Sequence, residues 1–481
     1  MNKSQAKQIG GVERGGDVGA AGVARRVYNP AIEKLDRPQV LALQWRLLHR
    51  QLQRLWHQNP FYRRRLEGAG ADPERITSLE AFRELVPMCT KRDLLADQTA
   101  HPQFGSRLGV PEGEVIQVWL TSGTSGVGQE VYGHTWRDAL AGGTGLVEGA
   151  FFPAGWRPGD RIFSMTPVST LAFGLCAQEA FRVAGYQPFQ VFVQDSVAKL
   201  ALMQRFPVHG MVLTPAHLAR LTTICQEQGI EPRTAYPELK SIVVAGQSYP
   251  AEVIEGAEHV WGVKIHDLYG STQGNGTVAA NCEYGSFHDG RRRGMHFLEH
   301  RNLLEVLDPD TGEHVAPGEE GMGVITNLAI EGSPLLRFRT DDKMRYLGEN
   351  TCDCGRATAL IEAGTLSRYD DMMKVRGMNI WPQAVDDVLF GESAVDEYLG
   401  RVYVDAGDLE QIEIRYATKP GITLAAEERA ALGTRLGERL KARINVTCRL
   451  LDVPRPELPV FEFKAVRWTD TRQTDLQKKV W

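Results

Sequence analysis

Four short apolar runs alternate with helical stretches in the middle of the chain, and that alternation limits the fold more than any other feature. RIFSMT (161–166), PFQVFV (188–193), GMVLT (210–214) and SIVVAG (241–246) are strand-length, and LAFGLCAQEAFRVAG and PAHLARLTTICQEQ between them carry helical periodicity. Such alternation predicts a mostly parallel, helix-covered sheet of the α/β class, with ligands beyond the carboxyl ends of its strands. Thr214 followed by Pro215 suits a helix cap and first turn. At 481 residues the chain exceeds one domain, and its character changes on either side of this core. Before it, QVLALQWRLLHRQLQRLWHQ has apolar residues at three and four spacing. After it, residues 303–348 are β-rich and full of turns, which predicts a smaller β subdomain. The last stretch reads as a compact α+β unit: PQAVDDVLFG, YLGRVYVD, EQIEIRYAT, a long charged helix and VTCRLLDV. The expected organisation is a disordered tail (1–35), a large N-terminal domain (36–367) and a small C-terminal domain (368–481).

The loop TSGTSGVG (121–128) carries the first chemical signal. Gly123, Gly126 and Gly128 let backbone N–H groups approach a ligand, and Thr121, Ser122, Thr124 and Ser125 add hydroxyls, so the segment reads as a cradle for a polyphosphate. It is not a Walker A loop, because Gln129 and Glu130 follow where lysine and a hydroxyl residue belong. EVIQVWL (114–120) and QEVYGH (129–134) are both extended, so the loop joins two strands, and Thr135 caps the helix that comes next. A flexible linker is seldom flanked so closely by β-patterned text.

The net charge of −5 offers no general attraction to nucleic acid or to an anionic membrane. No apolar run is long enough to span a bilayer, and the first 26 residues lack the apolar core of a secretory signal. Seven cysteines, an odd number, then argue for reduced thiols in the cytoplasm. Cys352 and Cys354 form a C-x-C, and Cys282 has His288 six residues on and His296 fourteen on. Three thiolates and one imidazole make a tetrahedral zinc set.

In order along the chain stand TSGTSGVG, AGQSYP (245–250), YGSTQG (269–274), RFRTDD (337–342), SRYDDMMKVRGMNIWP (367–382) and FEFKAVR (461–467). With these motifs the chain resembles the adenylate-forming superfamily of acyl-CoA synthetases, in its phenylacetate-CoA ligase branch. The resemblance covers nearly all of residues 36–481. It implies that Thr121, Ser122, Gly123, Thr124, Ser125 and Gly126 hold the ATP phosphates. Ala245, Gly246 and Gln247 would line the adenine and acyl pockets. Tyr269, leading Gly270, Ser271 and Thr272, would lie by the adenine, whose flat face suits an aromatic ring. Asp342 would accept the ribose hydroxyls and Arg368 would contact the nucleotide. Asp370 matches the hinge about which a mobile C-terminal domain turns, and Lys464 the lysine that stabilises charge at the reacting carboxyl and phosphate. Phe173 and Tyr249 fall in segments that line the acyl pocket of relatives. The metal knot of some relatives favours His296 over His288, since Gly294-Met295-His296 matches their histidine segment.

The implied reaction joins a carboxylic acid, expected to be aromatic, to AMP with release of pyrophosphate, then to coenzyme A. Loading onto a carrier protein or an amine is the alternative acceptor, and a catalytically weakened nucleotide-binding homologue the second alternative. The protein would act as a monomer or homodimer. Three positions depart from the family pattern. Gln273 replaces the glutamate associated with Mg2+, Val127 replaces a lysine after the phosphate loop, and Gln247 replaces a glutamate at the adenine pocket. An amide is a poorer ligand than a carboxylate for a hard dication.

Overall fold

β1 (Gln117–Leu120) and β2 (Val131–His134) pair antiparallel, with the glycine-rich segment 121–128 between them in sequence. The computed structural model describes residues 25–121, 128–405, 409–461 and 465–472, with Asp370 described by its backbone alone. The apolar runs then become β3 (Arg161–Ser164), β4 (Gln187–Gln190), β5 (Gly210–Leu213) and β6 (Ser241–Ala245), joined by β7 (Lys264–Ser271). These five run parallel in the order β4-β3-β5-β6-β7. Every residue of β5 and β6 is buried, as expected of strands covered by helices on both faces. From β3 the chain goes out to β4 on one side and returns to β5 on the other, so a crevice opens beyond the carboxyl ends where the order turns.

Local signals fix the helices that flank this crevice. Thr214 Oγ1 accepts the His217 N–H at 3.3 Å and Pro215 takes the first position of helix Pro215–Glu227. Thr135 and Asp138 exchange side-chain and backbone hydrogen bonds at the start of helix Trp136–Leu146, a full capping box. Both caps satisfy N–H groups that would otherwise be stranded in the interior.

Beyond β7 the sheet continues antiparallel through β8 (Gly276–Asn281), with β9 (Phe287–His288) and β10 (Arg291–Arg292) forming a small hairpin beside it. It then takes in β11 (Gly294–Phe297), β12 (Asn302–Leu307), β13 (Glu320–Asn327), β14 (Phe338–Glu349), β15 (Ala359–Glu362) and β16 (Ser367–Arg368), making a twelve-stranded whole. The β-rich text at 303–348 is therefore not a detached sheet. Twelve-residue β14 pairs with β13 along its first part and with β15 along its last, welding that segment to the parallel core.

Past β16 the chain forms the hairpin β17 (Met373–Val375) and β18 (Met378–Ile380), then β19 (Val395–Val404), β20 (Glu410–Thr418), β21 (Arg449–Asp452) and β22 (Trp468–Asp470). The last four make a separate sheet in the order β21-β20-β19-β22. Helices Pro382–Phe390 and Ala426–Ile444 bury Val385, Leu389, Leu432, Leu436 and Leu440 against Tyr398 and Ile412, so this unit has its own core.

Residues 25–35, expected to belong to the tail, are instead packed on the large domain. Buried Arg356 donates to Glu33 Oε2 at 2.8 Å and to Glu283 Oε2 at 2.8 Å, and also to the Arg26 carbonyl at 2.6 Å. Arg26 in turn reaches the Pro153 carbonyl. Residues 1–24 lie outside the described residues. Removing the cation from this network strands two buried carboxylates, so Arg356→Met should lower unfolding stability by about 3 kcal/mol in urea titrations. A loss below about 1 kcal/mol, the scale of an exposed pair, would mean the network does not hold the segment down.

Candidate nucleotide and acid site

A cavity of about 530 Å³ occupies the crevice at the carboxyl ends of β3, β5, β6 and β7. Its wall includes Thr166, Thr214, Ala245, Gly246, Gln247, Tyr269, Gly270, Ser271 and Thr272, so the residues expected around a nucleotide base do converge. Gly246 has φ +83°, a left-handed turn that lets the chain leave β6 while keeping its backbone open to the cavity. Beside it, Gln247 Oε1 is buried without a hydrogen-bond partner among the described residues, an acceptor position that suits a ligand N–H.

Tyr269 is 9% exposed, and its hydroxyl donates a short hydrogen bond to Asp342 Oδ2. Burial, then the Asp342 carboxylate, pushes this phenol well above its ordinary range, which keeps it a donor. Asp342 also stands opposite Arg368 in the β14–β16 pair, with its Oδ1 3.6 Å from the guanidinium. Its backbone N–H donates to Thr340 Oγ1 at 3.0 Å. The carboxylate is thus held at the cavity wall by groups from two strands.

Thr121, which opens the glycine-rich segment, pairs with Glu130: its Oγ1 accepts the Glu130 N–H at 3.0 Å and its N–H donates to the Glu130 carbonyl at 3.1 Å. Ser122, Gly123, Thr124, Ser125 and Gly126 lie outside the described residues. So does Lys464, although Ala465, the next residue, lines the cavity. Asp370 falls in a single 3-10 turn, Tyr369–Asp371, between the two domains.

The two aromatic candidates part company. Phe173 lies on the cavity wall with Pro167, Leu171 and Ala172. Gly174 makes that wall possible, since a Cβ there would sit 2.2 Å from the Pro167 carbonyl oxygen. Tyr249 is not on the wall, which corrects the sequence expectation. It is 3% exposed beneath the cavity, and its hydroxyl meets Asp267 Oδ2 at 3.0 Å and Ser286 Oγ at 3.1 Å. A buried phenol needs such partners, and these hold it away from a ligand.

Several wall residues were not expected from the sequence, and others carried only a faint signal. Lys91 and Glu130 stand near the loop, and Gln273 Nε2 lies 3.3 Å from both Glu130 carboxylate oxygens. The small domain contributes Gln383, Asp386, Tyr398, Arg467 and Trp468. Arg467 is fixed by two hydrogen bonds to Glu397, at 2.6 and 3.1 Å. A buried acid directly after the glycine loop was the one visible hint for Glu130.

The cysteine motifs meet as expected. Cys282, His296, Cys352 and Cys354 place their ligand atoms within 4.8 Å of one another. Cys282 Sγ and Cys352 Sγ are 3.8 Å apart, and Cys354 Sγ lies 3.3 Å from His296 Nε2. Ligands about 2.3 Å from a tetrahedral centre have edges of about this length, so the donor set fits zinc. Thr358 Oγ1 engages the other imidazole nitrogen at 3.0 Å. His288 is not part of the set; its ring stacks at a tilt on Tyr284 and faces Asp289. Oxygen donors for a hard dication are present near the loop in Thr121 and Glu130.

An α/β crevice with an anchored carboxylate on its wall, and with Thr121 and Glu130 from either side of a glycine-rich segment also lining it, defines a nucleotide-binding enzyme of two domains. Residues 71–328 match the AMP-binding enzyme family and residues 377–472 its C-terminal domain, and the chain belongs to that family. Among its relatives is a phenylacetate-coenzyme A ligase of Thermus thermophilus, 29% identical over 94% of this chain and 100% of that protein. The fold also matches 2-hydroxyisobutyryl-CoA ligase in the postadenylation state in complex with 2-HIB-AMP. That match has a TM-score of 0.83 and 24% identity, covering 95% of this chain and 94% of the other. The same ligase in the thioesterification state matches with a TM-score of 0.67 and 24% identity over 95% of each chain, so the domain arrangement here is nearer the former.

Asp267, on the cavity floor, accepts the Tyr249 hydroxyl and the Gly364 N–H, yet burial outweighs these bonds and raises its pKa from 3.8 to about 6. The folded chain therefore holds this proton more tightly than the unfolded chain. The stability so gained is complete below about pH 4 and is lost as pH rises through 6. Asp267→Asn, which cannot ionise, should gain on the order of 2 kcal/mol relative to wild type between those limits in paired denaturation curves. A pH-independent difference would refute the assignment.

Proposed function

We propose that the protein is an AMP-forming acid-CoA ligase that activates an aromatic carboxylic acid. The observation that carries this reading is Asp342, held by Tyr269 and facing Arg368 on the wall of a cavity rooted at the Thr121 loop. A carboxylate anchored so can accept both ribose hydroxyls without moving. Gln247 Oε1 supplies an acceptor for the adenine amino group, and the loop hydroxyls and N–H groups take the phosphates.

In the first half-reaction a carboxylate oxygen of the acid attacks the α-phosphorus, the bond to the bridging oxygen breaks, and pyrophosphate leaves. In the second, the sulfur of coenzyme A attacks the acyl carbon, the bond to AMP breaks, and the thiol proton is released. Phe173 with Pro167 and Leu171 offers an apolar slot for a ring. Lys464 would neutralise charge developing at the carboxyl and phosphate, and the position of Ala465 on the cavity wall supports this. Mg2+, which the oxygens of Thr121 and Glu130 would help to hold, would offset the phosphate charge that repels the attacking carboxylate.

The test is pyrophosphate release from ATP across aryl and aliphatic acids, with and without coenzyme A. Release that depends on an aryl acid, and thioester on adding coenzyme A, is expected. Adenylate without thioester would shift the acceptor to a carrier protein or amine, and release with no acid at all would overturn the reading. Lys464→Ala should slow adenylation by about 100-fold or more with unchanged thermal stability. A near wild-type rate would remove the residue from the mechanism.

Zinc belongs to the same reading, as a structural ion held by Cys282, His296, Cys352 and Cys354. Asn281, beside Cys282, accepts the Asp267 N–H at 2.7 Å, so the cluster is coupled to the cavity floor. Elemental analysis should find about one zinc per chain, and chelation should lower both thermal stability and ATP affinity. His296→Ala should hasten metal release and His288→Ala should not. Stable, active protein without zinc would end the proposal.

A further inference from the structure

We propose that Glu130 supplies the carboxylate for the divalent cation on the nucleotide phosphates, in place of the residue at 273. The inference rests on the ligase reading of the cavity. The family pattern places a glutamate at 273, where this chain has Gln273. Read alone, that change removes a hard anionic ligand. The structure places a carboxylate directly beside that amide. Glu130, 1% exposed at the head of β2, brings both its oxygens to 3.3 Å from Gln273 Nε2. A carboxylate only accepts, so it must be the nitrogen end of the amide that faces it. Tyr132 donates its hydroxyl to Glu130 Oε1 at 3.1 Å, and Lys91 Nζ lies 3.8 Å from Oε2.

Sterics and charge make the two positions interdependent. Glutamates at both 130 and 273 would set two carboxylates about 3.3 Å apart, an arrangement that keeps one of them protonated unless a cation intervenes. Gln273 removes that conflict and donates to the surviving anion. Glu130 is also paired through its backbone with Thr121, the residue that opens the glycine-rich segment expected to carry the phosphates. Burying a carboxylate at the mouth of an anion site is costly, and a cation shared with the phosphates offsets that cost. The departure at 273 is then a relocation of the ligand from the turn after β7 to the residue before β2, rather than its loss.

The test measures Mn2+ binding by electron paramagnetic resonance to full-length protein saturated with α,β-methylene-ATP, with no acid present. Glu130→Gln should weaken Mn2+ about tenfold or more, while nucleotide affinity in chelator stays within about twofold. The exchange variant Glu130→Gln/Gln273→Glu should recover most of the loss. Mn2+ affinity indifferent to Glu130→Gln, or an exchange variant that binds nucleotide but recovers no metal affinity, overturns the inference alone. Wild-type protein that binds no nucleotide overturns the ligase reading with it. Should Glu130→Gln fail to fold, Gln273→Glu decides. Its facing carboxylates should make its melting temperature rise with Mn2+ more steeply than that of wild type, and an equal response would overturn the proposal.

Discussion

Asp342 accepts the Tyr269 hydroxyl from β7 and faces Arg368 across the β14–β16 pair, so one carboxylate holds three parts of the molecule in register. Its position depends on β14, which is long enough to pair with β13 and β15 in turn and so carries the outer antiparallel strands back to the parallel core. Without that bridge, the wall bearing Asp342 and the wall bearing Gly246 would belong to separate sheets. The crevice at the β3/β5 turn of strand order supplies the space, and Asp342 supplies the fixed anion within it.

A second set of buried polar groups supports the cavity from below. Asp267 receives Tyr249 and Gly364, and Asn281 links Asp267 to β8, the strand that ends just before Cys282. From the cysteine cluster, Arg356 continues the connection to Glu283, Glu33 and the N-terminal segment. Each group alone is expensive to bury. Linked, they satisfy one another, which explains why Tyr249 is committed to the floor and unavailable to a substrate.

The parallel strands, the caps at Thr135 and Thr214 and the separate C-terminal unit were legible because each depends on residues close in sequence. The union of the β-rich segment with the core was not, since it rests on one strand changing partners. Residues 25–35 looked like tail because their anchors, Arg356 and Pro153, lie far along the chain. Phe173 and Tyr249 were indistinguishable by type, and only the turn at Gly246 separates wall from floor. The cysteine cluster was readable because C-x-C already fixes half of it; His296 was favoured over His288 only by the resemblance of its segment, and the physical reason is that β11 pairs with β8 and the β9 hairpin does not. Glu130 gained meaning only beside Gln273, a partner 143 residues away.

The small domain presents a prebuilt face to the cavity. Arg467 is held by Glu397, Tyr398 bonds Asp386 at 2.8 Å and Trp468 Nε1 donates to the Tyr398 hydroxyl at 3.0 Å, all within one body with its own core. Where it meets the large domain elsewhere, the lining is polar, with Arg292, Glu320, Lys343, Arg345 and Glu362 around Trp381 and Asn379. Lys343 sits 4.8 Å over the Trp381 ring, a contact that forms and breaks with little loss of buried apolar area. In the proposed two-pose mechanism, the short turn at Tyr369–Asp371 would let this rigid body rotate on its polar seam at small energetic cost. The proposed exchange of adenylation and thioester poses therefore asks for changes in a few backbone angles, while the groups that hold the nucleotide stay fixed on the sheet.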